Sequence, residues 1–288
     1  MIHLRLPDWV KNILNKPLRI EQYPAEEVEE LKRKLARFSV KDPIVSVVIP
    51  AWNEEEGIIH TLLSFANTNT QYPAELIVVD NNSTDGTHAL LKKLGVQTIM
   101  ETKQGVGHAR TAGLHYAKGK YLLTADSDTL YPPGWISAMT KTMIDGENEK
   151  VYCVHGTYSF LPSTSTPRWQ YGIYEFISRY AIKKKGKRQP YLNVLGYNSG
   201  IVRQKGIEVN GYDIEVQRTF RGTPRENEGH AAEDGMMAFR LMEAGGKIKG
   251  VEGDDGRVWT SDRRIQIDGG LLRAFIFRVR KHLFRTHF

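Results

Sequence analysis

Between Ile44 and Ala125 the chain alternates short β-branched runs with amphipathic helical stretches, and this alternation constrains the fold more than any other feature. Ile44-Val-Ser-Val-Val-Ile49, Leu76-Ile-Val-Val79, Val96–Met100 and Tyr121–Ala125 read as strands. Pro50 is expected to end the first of them. Ile58–Ala66, Ala89–Leu94 and Val106–Ala117 read as the intervening helices, the last introduced by Gly105 and Gly107. Ser83 or Thr84 is the expected N-cap of the second helix. Strands joined by helices at this pitch make a parallel sheet wound in βαβ units.

Such a sheet gathers its strand ends on one rim, where open α/β folds place their ligands. Four polar features fall there: Pro50-Ala-Trp-Asn-Glu54, Asp80-Asn-Asn-Ser-Thr-Asp-Gly86, the Gly105/Gly107 loop, and Asp126-Ser-Asp128. In an extended chain residues i and i+2 project to the same side, so Asp126 and Asp128 converge. Paired hard oxygen donors suit Mg²⁺ or Mn²⁺, which in turn holds a diphosphate. Alone, the pair reads equally as a solvated turn after a strand. Carboxylates at the other strand ends can accept from base N–H groups and ribose hydroxyls, and that convergence favours the ligand reading.

The flanks are simpler. Residues 1–24 read as an arm or a short peripheral helix. Ala25–Phe38 reads as a helix packed on the outside, with Val28, Leu31, Leu35 and Phe38 on one face. Beyond Asp128, Pro132-Pro133 to Ile144, Arg168–Ile182 and Ala231–Ala244 read as helices, the last closed by Gly245-Gly246. Val151–Val154, Ile201-Val202 and Lys247–Val251 read as strands. The expected division is an arm over 1–43, a main domain over 44–265 in two halves (44–130 and 131–265), and a tail over 266–288.

Charge and cysteine count narrow the class. Of the net charge of +7, five positive charges lie at Arg273, Arg278, Arg280, Lys281 and Arg285, so the body is nearly neutral. That excludes an extensive basic face for nucleic acid. Lys183, Lys184, Lys185, Lys187 and Arg188 form a second cluster. A single cysteine, Cys153, excludes an internal disulfide framework and fits a reducing compartment, so a cytoplasmic location is expected. No signal peptide or bilayer-spanning run is read. Residues 271–288 interleave apolar and basic side chains, which fits either a helix lying peripherally on a membrane or one docked on its own domain.

The motifs, in this order, resemble the family 2 glycosyltransferases of the GT-A fold. The matching text is Val45-Ser-Val-Val-Ile-Pro-Ala-Trp-Asn-Glu-Glu55, Glu75-Leu-Ile-Val-Val-Asp-Asn-Asn-Ser-Thr-Asp-Gly-Thr87, Gly105–Gly113 with Arg110, and Ala125-Asp-Ser-Asp128. Gly196-Tyr-Asn-Ser-Gly200, Gly211-Tyr-Asp213, Glu233-Asp234 and Phe239–Gly245 follow. The resemblance implies a Rossmann-like, mostly parallel sheet flanked by helices, with helical terminal extensions. It implies inverting transfer of a sugar from a nucleotide-diphosphate donor, a UDP-sugar foremost, to a saccharide or lipid-linked hydroxyl acceptor. The processive members' Gln-x-x-Arg-Trp signature is absent, which implies transfer of a single sugar.

Roles follow from the resemblance. Pro50, Asn53 and Glu54 would border the nucleoside, Asp80 would recognise the base, Asp85 would be structural or line the pocket, and Gly105 would line it. Arg110 would brace the donor pocket or make a helix-surface pair, Asp126 would face ribose or sugar, and Asp128 would be the principal ligand of Mn²⁺ or Mg²⁺. Asp234 would be the general base, with Asn198, Ser199, Glu233 and Arg264 toward the acceptor. Arg263 or Arg264 would meet a diphosphate or make a surface ion pair. Ile214–Ala232 looks longer than the usual connection and reads as a lid, an acceptor loop or a tolerated insertion; His230 within it reads as an accessory ligand or as solvated. Two rival readings stand beside this one. A silent GT-A-fold scaffold at the membrane would not need Asp126, Asp128 and Asp234 together. A sugar-1-phosphate nucleotidyltransferase needs a Gly-rich first loop where this chain has Pro50-Ala-Trp-Asn-Glu54.

Overall fold

The computed structural model describes residues 4–163, 165–186, 189–212, 233–267 and 269–273, the side chains of 179–186 and of Arg264 excepted. Two N-terminal helices, α1 (Asp8–Leu14) and α2 (Ala25–Ala36), precede the first strand. Val28, Leu31 and Leu35 of α2 bury against the main core, so this arm is continuous with the body it flanks. The alternation then runs β1 (Val45–Ala51), α3 (Ile58–Ala66), β2 (Ala74–Asp80), α4 (Thr87–Lys93), β3 (Gln97–Met100), α5 (Val106–Tyr116) and β4 (Tyr121–Thr124). β1, β2 and β4 are buried throughout, as expected of strands covered by helices on both faces.

The second half contributes β5 (Thr129–Leu130), α6 (Trp135–Asp145), β6 (Val151–His155), β7 (Thr157–Phe160) and α7 (Arg168–Gly186). After these come β8 (Ser199–Val202), α8 (Arg203–Glu208), α9 (Glu233–Glu243), β9 (Lys247–Gly250), β10 (Arg257–Thr260) and α10 (Arg263–Ile267). Among the described residues the main sheet has the order β3-β2-β1-β4-β8-β6-β9. Its first four strands are parallel, and β8 runs antiparallel between β4 and β6. A smaller sheet, β5-β10-β7, closes over the end of β4.

Pro50 lies inside β1 rather than ending it. β4 pairs with β1 only as far as Val48, so beyond that point one edge of β1 has no neighbour and the missing proline N–H disrupts no ladder. α6 begins at Trp135 rather than at the prolines, because Pro132 and Pro133 form the turn whose Pro132 carbonyl accepts from the Trp135 amide. The strands of the smaller sheet were not expected from sequence. The expected start of α9 at Ala231, the 214–232 connection with His230, and the tail beyond Arg273 lie outside the described residues.

Asn198 joins the two sheets. Its amide accepts from Trp135 Nε1 (2.8 Å) and donates to the carbonyls of Thr157 (2.6 Å) and Gly256 (3.0 Å). Phe65, Tyr131 and Trp135 stack beneath it as a fully buried aromatic cluster.

Candidate active site

The loops after β1 and β2 are held by reciprocal hydrogen bonds. Asn53, in the left-handed region at φ 53°, accepts from the Thr84 amide (2.8 Å), and its own amide donates to Ser83 Oγ (3.0 Å). Asparagine tolerates that conformation better than most residues. Glu54 N–H donates to Thr87 Oγ1 (2.8 Å), and Glu55 accepts from the Gly86 amide (2.9 Å). Ser83 and Thr84 therefore do not cap α4: Gly86 stands at the N-cap, and the two hydroxyls serve the neighbouring loop. Asp85 accepts from the Thr87 amide, the Thr87 hydroxyl and the Glu55 amide (3.2 Å). Burial would raise its carboxyl, but these hydrogen bonds outweigh it and hold Asp85 below the ordinary value. It fastens the loops together.

Asp80, fully buried at the end of β2, accepts from the Ser83 amide (3.0 Å) and pairs with His88 Nδ1 (3.1 Å). The Gly105 amide, at the N-terminus of α5, donates to Asn81 Oδ1 (2.8 Å). Gly105 has φ 141°, a backbone that side chains rarely adopt.

At the end of β4 the two acids part. Asp126 receives Arg110 Nη2 (2.9 Å), while its amide donates to Tyr131 Oη (2.8 Å). Burial, aided by the charge of Asp126, pushes the Tyr131 phenol far up, so it stays neutral and donates onward to the Tyr197 carbonyl (2.9 Å). Asp128 accepts from Ser261 Oγ (2.6 Å) and from Arg263 Nη2 (2.7 Å), and the same Arg263 nitrogen reaches Glu54 (2.9 Å). Burial pushes the Glu54 carboxyl up to about 7, against the pull of Arg263 and with the help of Asp128.

Arg110 connects this rim to α9. Its Nη1 donates to Glu233 (3.0 Å) and to Asp234 Oδ1, whose Oδ2 accepts from the Gly196 amide (2.8 Å). Glu233 and Asp234 are both buried, and Oε2 of Glu233 has no partner among the described residues. A Cβ at Gly196 would run into the guanidinium, so glycine is required there. Burial alone would strip charge from Arg110, yet Asp234, Asp126 and Glu233 hold it firmly protonated.

The structure thus forms two networks at the end of β4, Glu54 and Asp128 on Arg263 and Asp126, Glu233 and Asp234 on Arg110, with Asn53, Asp80, Asp85 and Gly105 in the adjoining loops. It does not turn Asn198 or Ser199 toward a ligand. The Asn198 amide is taken up between the sheets, and Ser199 is fully buried with its hydroxyl on Thr124 (2.7 Å). The Arg264 side chain lies outside the described residues, and Arg263 supplies the cation. Ser261, Tyr131 and His88 were missed. No local pattern marks Ser261, whose partner Asp128 is 133 residues away.

The donor set fits a divalent ion of the kind that keeps open positions. Asp126 and Asp128 are each 24% exposed, and the Arg263 guanidinium already sits on Asp128 as a stand-in cation. Among the described residues no three His, Cys, Asp or Glu side chains converge as a cage.

Comparison with known proteins bears on the family and the fold. Residues 46–206, more than half of the chain, match the family model of glycosyl transferase family 2. A UDP-Glc:α-D-GlcNAc-diphosphoundecaprenol β-1,3-glucosyltransferase of Escherichia coli is 33% identical over 119 residues, covering 40% of this chain and 46% of that protein. An undecaprenyl-phosphate 4-deoxy-4-formamido-L-arabinose transferase of Proteus mirabilis is 32% identical over 113 residues, 35% of this chain and 34% of that one. The matched stretch thus spans less than half the length of these relatives. Among solved structures, a mannosyltransferase from Pyrobaculum calidifontis in complex with GDP-Man and Mn²⁺ superposes with a TM-score of 0.53 at 19% identity, over 88% of this chain and 71% of that one. That likeness establishes the fold as GT-A. Pro50 to Asp128 fall inside the matched segment and Asp234 beyond it, and the chain belongs to glycosyl transferase family 2.

Proposed function

We propose that this chain transfers a single sugar, with inversion, from a UDP-sugar to a hydroxyl of a saccharide or lipid-linked acceptor in cell-envelope glycan synthesis. The observation that carries the reading is the Arg110 guanidinium, which ties Asp126 on the donor rim to Glu233 and Asp234 on α9. Donor and acceptor chemistry must meet within one small volume, and this side chain spans it. Asp128 and Asp126 would hold Mn²⁺ or Mg²⁺, which when bound neutralises charge gathering on the departing diphosphate. Glu54 and Asp80 offer acceptors to ribose and base. Asp234 would take the proton from the acceptor hydroxyl. The bonds from Arg110 and the Gly196 amide fix the direction of its carboxylate. The names of the Escherichia coli and Proteus mirabilis relatives support a lipid-linked acceptor.

Calorimetric titration with UDP, GDP, dTDP and CDP, with and without Mn²⁺, tests the donor site. UDP is expected to bind only with the metal and to lose that binding in Asp128→Ala. Binding that ignores both would remove Asp128 from the metal role. Asp234→Asn is expected to lower transfer by roughly 10²–10⁴-fold while UDP still binds. Unchanged turnover would make another group the base.

A further inference from the structure

Helix α7 turns an apolar face to solvent. Between Arg168 and Ile177 its exposed positions are Trp169 (53% exposed), Ile173 (48%), Phe176 (56%) and Ile177 (44%). At about 100° per residue these four fall within an arc of about 100° and form one stripe. A surface helix ordinarily presents its polar side to water.

The opposite side of α7 is fully employed. Tyr171 and Tyr174 pack with Phe160 and Ile265. Arg168 and Glu175 form a buried two-pronged ion pair (2.8 and 2.7 Å), and the Phe160 amide donates to the same carboxylate (2.7 Å). Rolling the helix to hide the stripe would drag that pair into the open. α10 rests on α7 through Asp262 and Gln266, which both bond Tyr171 Oη, and its neighbourhood exposes Ile267 (69%) and Leu272 (72%).

Charge identifies what covers the stripe. Glu175 is the only acid in α7, and it is neutralised in the buried pair. Residues 179–188 hold Arg179, Lys183, Lys184, Lys185, Lys187 and Arg188 and no acid. A second copy stacked in parallel, α7 on α7, would bring like charges together. Residues 274–288 are themselves cationic without an acid, so they face the same repulsion. An apolar stripe followed by a cationic run is complementary to an anionic bilayer surface. We propose that α7 is a membrane-docking helix, with Trp169, Ile173, Phe176 and Ile177 entering the acyl boundary of a membrane rich in anionic lipid. The inference is independent of the donor-site reading, since it concerns binding without substrate. Arg263 at the start of α10 pairs with Asp128, and Gln266 one turn later touches Tyr171 on the buried side of α7, so one short helix connects α7 to the candidate metal-binding acid.

Sedimentation of the full chain with vesicles tests this, using mixed phosphatidylglycerol and phosphatidylcholine against phosphatidylcholine alone. The wild type is expected to bind the anionic vesicles and to be released by salt. Trp169→Ser/Phe176→Ser is expected to bind at least about tenfold more weakly with an unchanged Tm, because both side chains are already exposed. Ile173→Asn/Ile177→Asn should reproduce the loss, which guards against a fold defect in the first pair. Lys183→Gln/Lys184→Gln/Lys185→Gln should weaken binding to the anionic vesicles alone. No binding by the wild type, equal binding to neutral vesicles, or undiminished binding by both apolar pairs would overturn the proposal. So would a wild-type dimer that the apolar substitutions dissociate, since the stripe would then belong to a second copy.

Discussion

Glu54 carries the most informative titration in the cleft, because its carboxyl is pushed up to about 7 from an ordinary 4.5 by burial beside Asp128. An acid whose native value lies above its unfolded one binds its proton more tightly when folded. Stability therefore falls as pH rises from about 4.5 to about 7 and levels off above. Denaturant unfolding of the metal-free protein at about pH 5 and about pH 8 should show a loss on the order of 1–3 kcal/mol that Glu54→Gln removes. An identical slope in the variant would assign the titration elsewhere. Residue types at this site were legible in the chain. Asp126, Asp128, Arg110 and Asp234 stand in recognisable local patterns, but their links do not, since Arg110 meets Asp234 across 124 residues. Adjacent Arg263 and Arg264 differ only by the phase of a helix turn that no pattern specifies. Asn198 reads locally as a ligand-facing amide between glycines; only packing shows that its three partners lie on α6, on β7 and just before β10.

At the scale of elements, the β1–α3 and β2–α4 loops behave as one unit. Asp85 accepts three hydrogen bonds, two from its own turn and one from Glu55 across the gap. Asp85→Ala leaves these donors without their acceptor and should cost about 1–3 kcal/mol in urea unfolding. UDP affinity should fall with it, because Asn53 and Glu54 border the nucleoside in the proposed site. A stable variant with intact affinity would show that the loop holds its shape without the carboxylate. The strands feeding these loops could be read directly, since β-branched runs buried on both faces leave little ambiguity. The smaller sheet could not. β5 is only Thr129–Leu130, too short to show a period, and its partner β10 lies far along the chain. The reversed direction of β8 is likewise set by its neighbours β4 and β6, not by its own four residues.

For the whole molecule, the two sheets depend on a polar contact at their junction. Asn198→Leu would strand the Trp135 indole N–H and the carbonyls of Thr157 and Gly256 in a dry interior. At about 1–3 kcal/mol for each unsatisfied group, this substitution should lower Tm more than any exposed change on α7. Calorimetric unfolding compares them directly, and a small shift would mean that water replaces the amide. The junction also has a consequence in time. Asp128 leaves the ribosome 133 residues ahead of Ser261, and the strand that lies against β5 follows at the same remove. A nascent chain therefore exposes Asp128 before Ser261 and Arg263, which will restrain it, exist. The early βαβ units can form from near neighbours as they emerge, but the cleft can be completed only by a long-range closure, the slow kind of contact in folding. Completion of this rim is thus a late event in the life of each molecule, set by translation of β10 and α10.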